Sequence, residues 1–382
     1  MHIKKLSQWL ICGLLAAVLL WSPALSRAEE EKPGAYEFTV TKELGHTPVK
    51  NQARTGTCWC FATVSFLESE TLRLGGESLD LSEMFIVNYN YRDKAENFVR
   101  MHGNATFGQG SLGHDVMKQL RNHGIVPESV YSGMVLGYDH HDHNELFRAL
   151  KGVVDAVVAA RRPTIRWKDA FAGVINAYLG APPDNFTYQG QFYTPKSFAE
   201  NVVMVNPDDY VEVTSFTYAP FYKQCVVKVP DNWWYNDEFY NVPLDDLERI
   251  ADYALGNGYT VAWDGDVSEK HFSSRDKGYA LLPKEDIEDE ITEPVEEMDV
   301  TQENRQKSFG SYITTDDHLM HVVGLAKDQN GKTYYYIKNS GGDRGPYNGY
   351  LFMSKPYYRM KTVAIMVHKD AIPSDIKSKL GL

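Results

Sequence analysis

The sequence predicts an α+β protein in which helices and strands occupy separate lobes. Helical patterns fill residues 58 to 122, four strand-like runs crowd into residues 317 to 367, and no internal repeat or low-complexity tract interrupts this order. At 382 residues, 43% hydrophobic and 13% aromatic, the chain can fill one large domain or two lobes of ordinary size.

The elements follow in order. His2, Lys4 and Lys5 precede an apolar run from Leu10 to Trp21, and Ser26-Arg27-Ala28 places small residues at −3 and −1 of a cleavage site. Residues 1–28 therefore read as a secretory signal peptide, so the protein is expected to be exported, periplasmic or extracellular. No later segment approaches 18 apolar residues, so residues 29–382 are expected to have no membrane partner after cleavage. Tyr36 to Thr41 is strand-like. Thr57 can cap a helix opening at Cys58, whose apolar face uses Trp59, Ala62, Thr63, Phe66 and Leu67 before Gly75-Gly76 ends it. Leu81–Val99 and Asp115–Asn122 read as two more helices, the second closed by Gly124. Residues 138 to 211 mix helical patterns with polar loops. Pro243–Leu255 reads as a short helix, Tyr259–Trp263 as a strand, and the acidic residues 285–306 as an exposed loop. Asp317–Ala326 and Thr333–Lys338 form a predicted hairpin around Asn330-Gly331, followed by strands at 349–353 and 362–367.

Loss of residues 1–28 would remove three basic residues and no acidic ones, leaving 36 Lys+Arg against 51 Asp+Glu. An acidic chain without a basic stripe argues against nucleic acid as a partner. Only Cys58, Cys60 and Cys225 remain, an odd count that leaves at least one free thiol. Cys58 and Cys60 cannot easily bridge each other, and their spacing is too tight for a structural zinc site.

A cysteine at a helix N-terminus has its thiolate favoured by the helix dipole, and a nearby imidazolium would favour it further, giving an ion pair. Gln52 and the Cys58 N–H are candidate oxyanion donors, and Gly56 would let a substrate approach the backbone. The base must come from elsewhere. His318 and His321 share one strand but face opposite sides, and Asn339 could orient an imidazole. A tight turn at Asn330-Gly331 would pair Asn339 with Val322, so the His318–Asn339 match requires a longer or bulged connection. Cys60 reads as core, and His321 as a satisfied histidine on the barrel-facing side. The run Asp139-His-His-Asp-His143 reads as a polar loop, with a metal site the less favoured alternative, and Trp233-Trp234-Tyr235 as core or interface.

Gln52-x5-Cys58-Trp59, Asp317-His318 with Gly324 six residues on, and Ile337-Lys-Asn339-Ser340 resemble the three active-site segments of papain-like cysteine peptidases. Within that family, Leu81-Ser-Glu, residues 93–98, 124–131, 349–354 and 372–377 resemble the bleomycin hydrolase/aminopeptidase C branch. The resemblance implies a papain-like two-lobe fold with a large insertion. The helical lobe would span about 58–215, the β-rich lobe about 216–372 plus 36–50, and the tail 373–382. It selects His318 over His321 and implies a triad of Cys58, His318 and Asn339, with Gln52 at the oxyanion hole. Gly110 and Ser111 fall at the cleft glycines, Ser111 departing from the pattern. The implied activity is thiol-dependent peptide hydrolysis, of aminopeptidase type, on peptide substrates. No metal or organic cofactor is implied, and a homo-oligomer is. In that branch the C-terminus blocks the cleft, a role Lys377–Leu382 could take here. Gly341 stands where the family has a tryptophan shielding the histidine–asparagine bond, which leaves room for an alternative: a binding or scaffold protein on a weakened peptidase fold. A transglutaminase-like acyltransferase would instead usually complete its triad with aspartate.

Overall fold

A computed structural model describes residues 36–288, 291 and 293–382; the expected signal segment lies outside them. Numbered in chain order, the helical lobe holds α1 (Cys58–Arg73), α2 (Glu83–Arg100), α3 (Gly113–His123), α4 (Asn144–Ala159), α5 (Trp167–Leu179) and the short α6 (Pro195–Phe198). The other lobe is built on β1 (Phe38–Glu43), β4 (Tyr210–Thr214), β5 (Lys223–Cys225), β6 (Phe239–Asn241), β7 (Val261–Gly265), β8 (Phe272–Ser273), β9 (Tyr279–Ala280), β10 (His318–Asp328), β11 (Thr333–Lys338), β12 (Tyr350–Ser354) and β13 (Thr362–His368). These form one sheet in the order β5-β6-β4-β13-β7-β10-β11-β12-β9-β8, with β1 also paired to β10. A separate hairpin, β2 (Phe186–Tyr188) with β3 (Gln191–Tyr193), belongs to the helical side. The helices α7 (Leu244–Gly256), α8 (Gln302–Gly310), α9 (Lys355–Lys361) and α10 (Ser374–Leu380) accompany the sheet. The α+β class is as the sequence predicts.

Two main cores follow from strand alternation. Leu319 on β10 joins Trp59, Phe66 and the helices in the first core, whereas Met320 and Val322 join Trp263, Tyr335 and α7 in the second. α1 packs against β10 between these cores and is buried from Cys58 through Thr71, more completely than a one-sided apolar stripe predicts. Thr57 makes no side-chain cap to α1, because its hydroxyl bonds the Thr55 hydroxyl at 2.6 Å. Residues 285–306 are not wholly an exposed loop: Val300 and Arg305 are buried, and α8 begins at Gln302 behind a Thr301 capping box. Hydrogen bonds from the Arg305 guanidinium to the carbonyls of Ser215 and Arg359 explain how a charged residue of this acidic stretch is drawn inside.

Three features position the cleft. First, β10 and β11 carry a bulge between Val322 and Gly324, so His321 pairs with Lys338 and Asn339 leaves the ladder to donate its N–H to the Gly349 carbonyl at 3.0 Å. Second, His321 faces α1 and not the barrel: it is fully buried, its Nδ1 lies 2.8 Å from Ser65 Oγ, and its Nε2 has no hydrogen-bond partner among the described residues. Third, the C-terminus stays outside the cleft. Leu380 is buried, Leu382 packs against the second core, the Leu382 N–H donates to the Lys377 carbonyl at 3.2 Å, and Arg249 pairs with Asp375 at 3.1 Å. The cleft-blocking tail implied by the family resemblance is therefore not seen.

Candidate active site

Cys58 is the first residue of α1, and it is buried. Burial pushes the thiol up to about 12. Hydrogen bonding to the Leu319 backbone opposes this, and the carboxylates of Asp316 and Asp231 reinforce it. The Leu319 contact places the sulfur against the start of β10, where His318 lies. Cys60 points elsewhere: it is fully buried and its Sγ–H reaches the Glu83 carbonyl at 3.3 Å. Cys58, Cys60 and Cys225 are all free thiols.

His318 Nε2 lies 2.7 Å from Asn339 Oδ1. The same oxygen accepts the Ser340 backbone N–H at 2.8 Å. A backbone N–H can only donate, so this atom is the amide oxygen and His318 must donate to it from Nε2. The tautomer follows: Nδ1 keeps its lone pair and is the basic nitrogen. Burial holds the imidazole below its usual pKa, with the Asn339 bond opposing. Burial thus works against both charged forms, thiolate and imidazolium, and so against the resting ion pair the sequence suggests.

Gln52 is fixed by the same logic. Its Nε2 donates to the Thr55 carbonyl at 2.8 Å and its Oε1 accepts from Ser340 Oγ at 2.6 Å, leaving one amide hydrogen uncommitted. The Gln52 N–H also donates to the Ser340 carbonyl at 2.9 Å. Ser340 therefore ties Gln52 to Asn339, a link the sequence offers only as the residue after the asparagine.

Around the nucleophile loop, the Gly56 N–H donates to Gln109 Oε1 at 2.9 Å and Trp59 Nε1 donates to the Gln109 carbonyl at 3.0 Å. The close approach that Gly56 permits is taken by the Gln109 side chain: a Cβ there would meet Gln109 Cβ at 3.0 Å. Gly110 lies beside Asp231, whose carboxylate occupies the space a Cβ would need. Ser111 does not open onto the cleft through its side chain. It is buried, with its hydroxyl bonded to Asn90 Nδ2 at 2.8 Å and Trp233 Nε1 at 3.1 Å. Trp233 and Trp234 are anchored by Asp115.

Sequence reasoning missed the carboxylates. Asp316 is pushed up to about 7 by burial and by Asp231, and Asp264 is raised by burial and by Asp316. Asp264 is buried, and its only hydrogen-bonding neighbour among the described residues is the Asp316 carboxyl group. Asp264 pairs with Leu319 across β7 and β10, a proximity that only the fold creates. The histidines of residues 139–143 differ in exposure, although the His141 and His143 rings lie 6.1 Å apart. His140 is exposed with Nδ1 on Asp139 at 2.6 Å, whereas His143 is buried near Tyr91. No metal-ligand cluster occurs among the described residues.

The model of the Peptidase C1-like family matches residues 115–381, and that of the papain family cysteine protease matches residues 36–168. Aminopeptidase C of Streptococcus thermophilus is 24% identical, with 94% of this chain and 87% of the relative covered. Aminopeptidase G of Lactobacillus delbrueckii subsp. lactis is 22% identical, covering 92% and 88%. Among solved structures, PepW from Lactobacillus rhamnosis HN001 matches with a TM-score of 0.72 at 18% identity, covering 90% of this chain and 84% of that one.

Proposed function

Since the chain belongs to the Peptidase C1-like family and is a cysteine-type peptidase, we propose that it cleaves peptide bonds through Cys58, His318 and Asn339, removing residues from the N-terminus of its substrates. The observation that carries this reading is the Asn339 oxygen, which fixes His318 with Nδ1 as the base. The aminopeptidase part rests on the names of the relatives.

In this mechanism His318 Nδ1 takes the thiol proton as Cys58 Sγ attacks the scissile carbonyl, so thiolate and imidazolium form at attack. The uncommitted Gln52 amide hydrogen and the Cys58 backbone N–H stabilise the oxyanion. His318 then gives its proton to the leaving amine, and a thioester remains. Water, deprotonated by His318, attacks the thioester, and the departing sulfur recovers its proton. Asn339 keeps the proton on Nε2 throughout, so that protons come and go only at Nδ1. We further propose that residues 1–28 direct export, with N-terminal sequencing of the secreted protein expected to begin at Glu29.

Cys58→Ala is expected to lower kcat/KM on aminoacyl fluorogenic substrates by at least about a thousandfold under reducing conditions. Full activity in that variant would sink the proposal. A non-catalytic binding role draws on Gly341, where a Cβ would meet nothing within 4 Å and the family's tryptophan is missing. The same assay on the unaltered protein separates the two readings.

A further inference from the structure

A cavity of about 870 Å³ is lined by Gln52, His318 and Asn339, and His318 is the group that would protonate the leaving amine. Three arginines line it, Arg54, Arg275 and Arg344, against a single carboxylate, Asp139. That carboxylate is engaged by His140 Nδ1 at 2.6 Å. Arg54 has only a loose partner, with Nη1 3.6 Å from Asp142 and a side chain 70% exposed. Arg275 and Arg344 have no ion pair among the described residues. Asp276 and Asp343, their neighbours in sequence, do not line the cavity. Three guanidinium groups together, two of them without an ion pair among the described residues, are out of keeping with a chain of net charge −12.

The arginines come from three separate segments: the loop before α1, the turn after β8, and the loop between β11 and β12. Guanidinium groups present planar pairs of donors that match a carboxylate. The cavity volume lies in the range that encloses a small ligand, so it has room for a short leaving segment.

Resting on the peptidase reading above, we propose that this arginine wall binds a carboxylate on the leaving-group side of the scissile bond. The substrates it favours are short peptides whose free C-terminal carboxylate lies one or two residues beyond that bond. The wall thereby selects short peptides, a role that in the resembled branch falls to the C-terminal tail. An Asp or Glu side chain in the leaving segment offers the same chemistry from a second source.

The test uses the full chain, reduced, with one peptide series in which the leaving segment is one, two, three or six residues long. Each peptide is made as the free acid and the C-terminal amide, and each amide also with Asp or Asn in the leaving segment. For the one- and two-residue segments, the free acid is expected to exceed the amide roughly five- to tenfold in kcat/KM, mainly through KM. The ratio should shrink as salt is raised. Arg344→Gln and Arg275→Gln should each move it towards one, and the two variants guard against misfolding of either. A preference for Asp over Asn in the amides at every length, without an acid-over-amide difference, would overturn the C-terminal assignment and move the wall to the side-chain source. Equal rates for acid, amide, Asp and Asn peptides, unchanged in both variants, would overturn the proposal altogether. Failure of the protein to cleave any peptide, with Cys58→Ala indistinguishable from it, is a different outcome: it removes the peptidase reading on which this inference stands.

Discussion

At the scale of single residues, Ser340 does more than fill a turn. Its N–H fixes which Asn339 atom faces His318, and its hydroxyl donates to the Gln52 amide oxygen, whose orientation the Thr55 carbonyl sets by accepting from Nε2. Ser340→Ala keeps the first bond and removes the second. It is expected to lower kcat about tenfold with little change in KM, a smaller loss than deletion of an oxyanion donor. Steady-state kinetics on an aminoacyl substrate checks this. Asp316 acts on Cys58 through charge: burial and Asp231 push its carboxyl up to about 7, and its anion disfavours the thiolate. In Asp316→Asn, iodoacetamide labelling of Cys58 should therefore rise at lower pH than in the unaltered protein, the difference appearing only above about pH 7. Of these residues, Cys58, His318, Asn339 and Gln52 were legible because their chemistry and order are local motifs. Asp231, Asp264 and Asp316 were not, since no sequence spacing connects strands β7 and β10 with the Asp231 loop.

At the scale of elements, the entry to α2 shows how charge is buried where lobes meet. Lys50, just before the nucleophile loop, reaches Glu83 at 2.9 Å, Glu68 at 3.3 Å and Asp80 at 2.6 Å. Glu128 lies near this group with Oε2 unpartnered among the described residues, and burial, with Glu83 second, pushes it up to about 8. An unfolded glutamate titrates near 4.3, so folding takes up a proton between these values and stability falls as pH rises across that window. Glu128→Gln removes the titration. Its melting temperature relative to the unaltered protein should climb between pH 5 and pH 8.5, as followed by circular dichroism. Helices α1 to α3 were readable from apolar spacing and glycine stops, to within a few residues at each end. The β10–β11 register was not, because the bulge at Val322/Gly324 depends on close packing: a Cβ at Gly324 would strike the Lys42 carbonyl of β1.

At the scale of the whole molecule, the tail braces the sheet lobe. Leu380 and Leu382 cover the second core and Asp375 pairs with Arg249, so deletion of residues 374–382 should lower the melting temperature. The same deletion should leave the free-acid to amide ratio for short peptides where it was. A change from stepwise N-terminal cleavage to internal cleavage after deletion, read by mass spectrometry of a long peptide, would contradict this placement. The sequence by itself determined the α+β class and the candidate nucleophile, base, orienting amide and oxyanion donor, because helix spacing, strand alternation and short motifs are written in neighbouring residues. Only the tertiary structure decided the His318 tautomer, the position of the C-terminus, the carboxylates behind Cys58 and the arginine wall. Each of these depends on groups from distant segments meeting, and on which of them burial leaves without a partner.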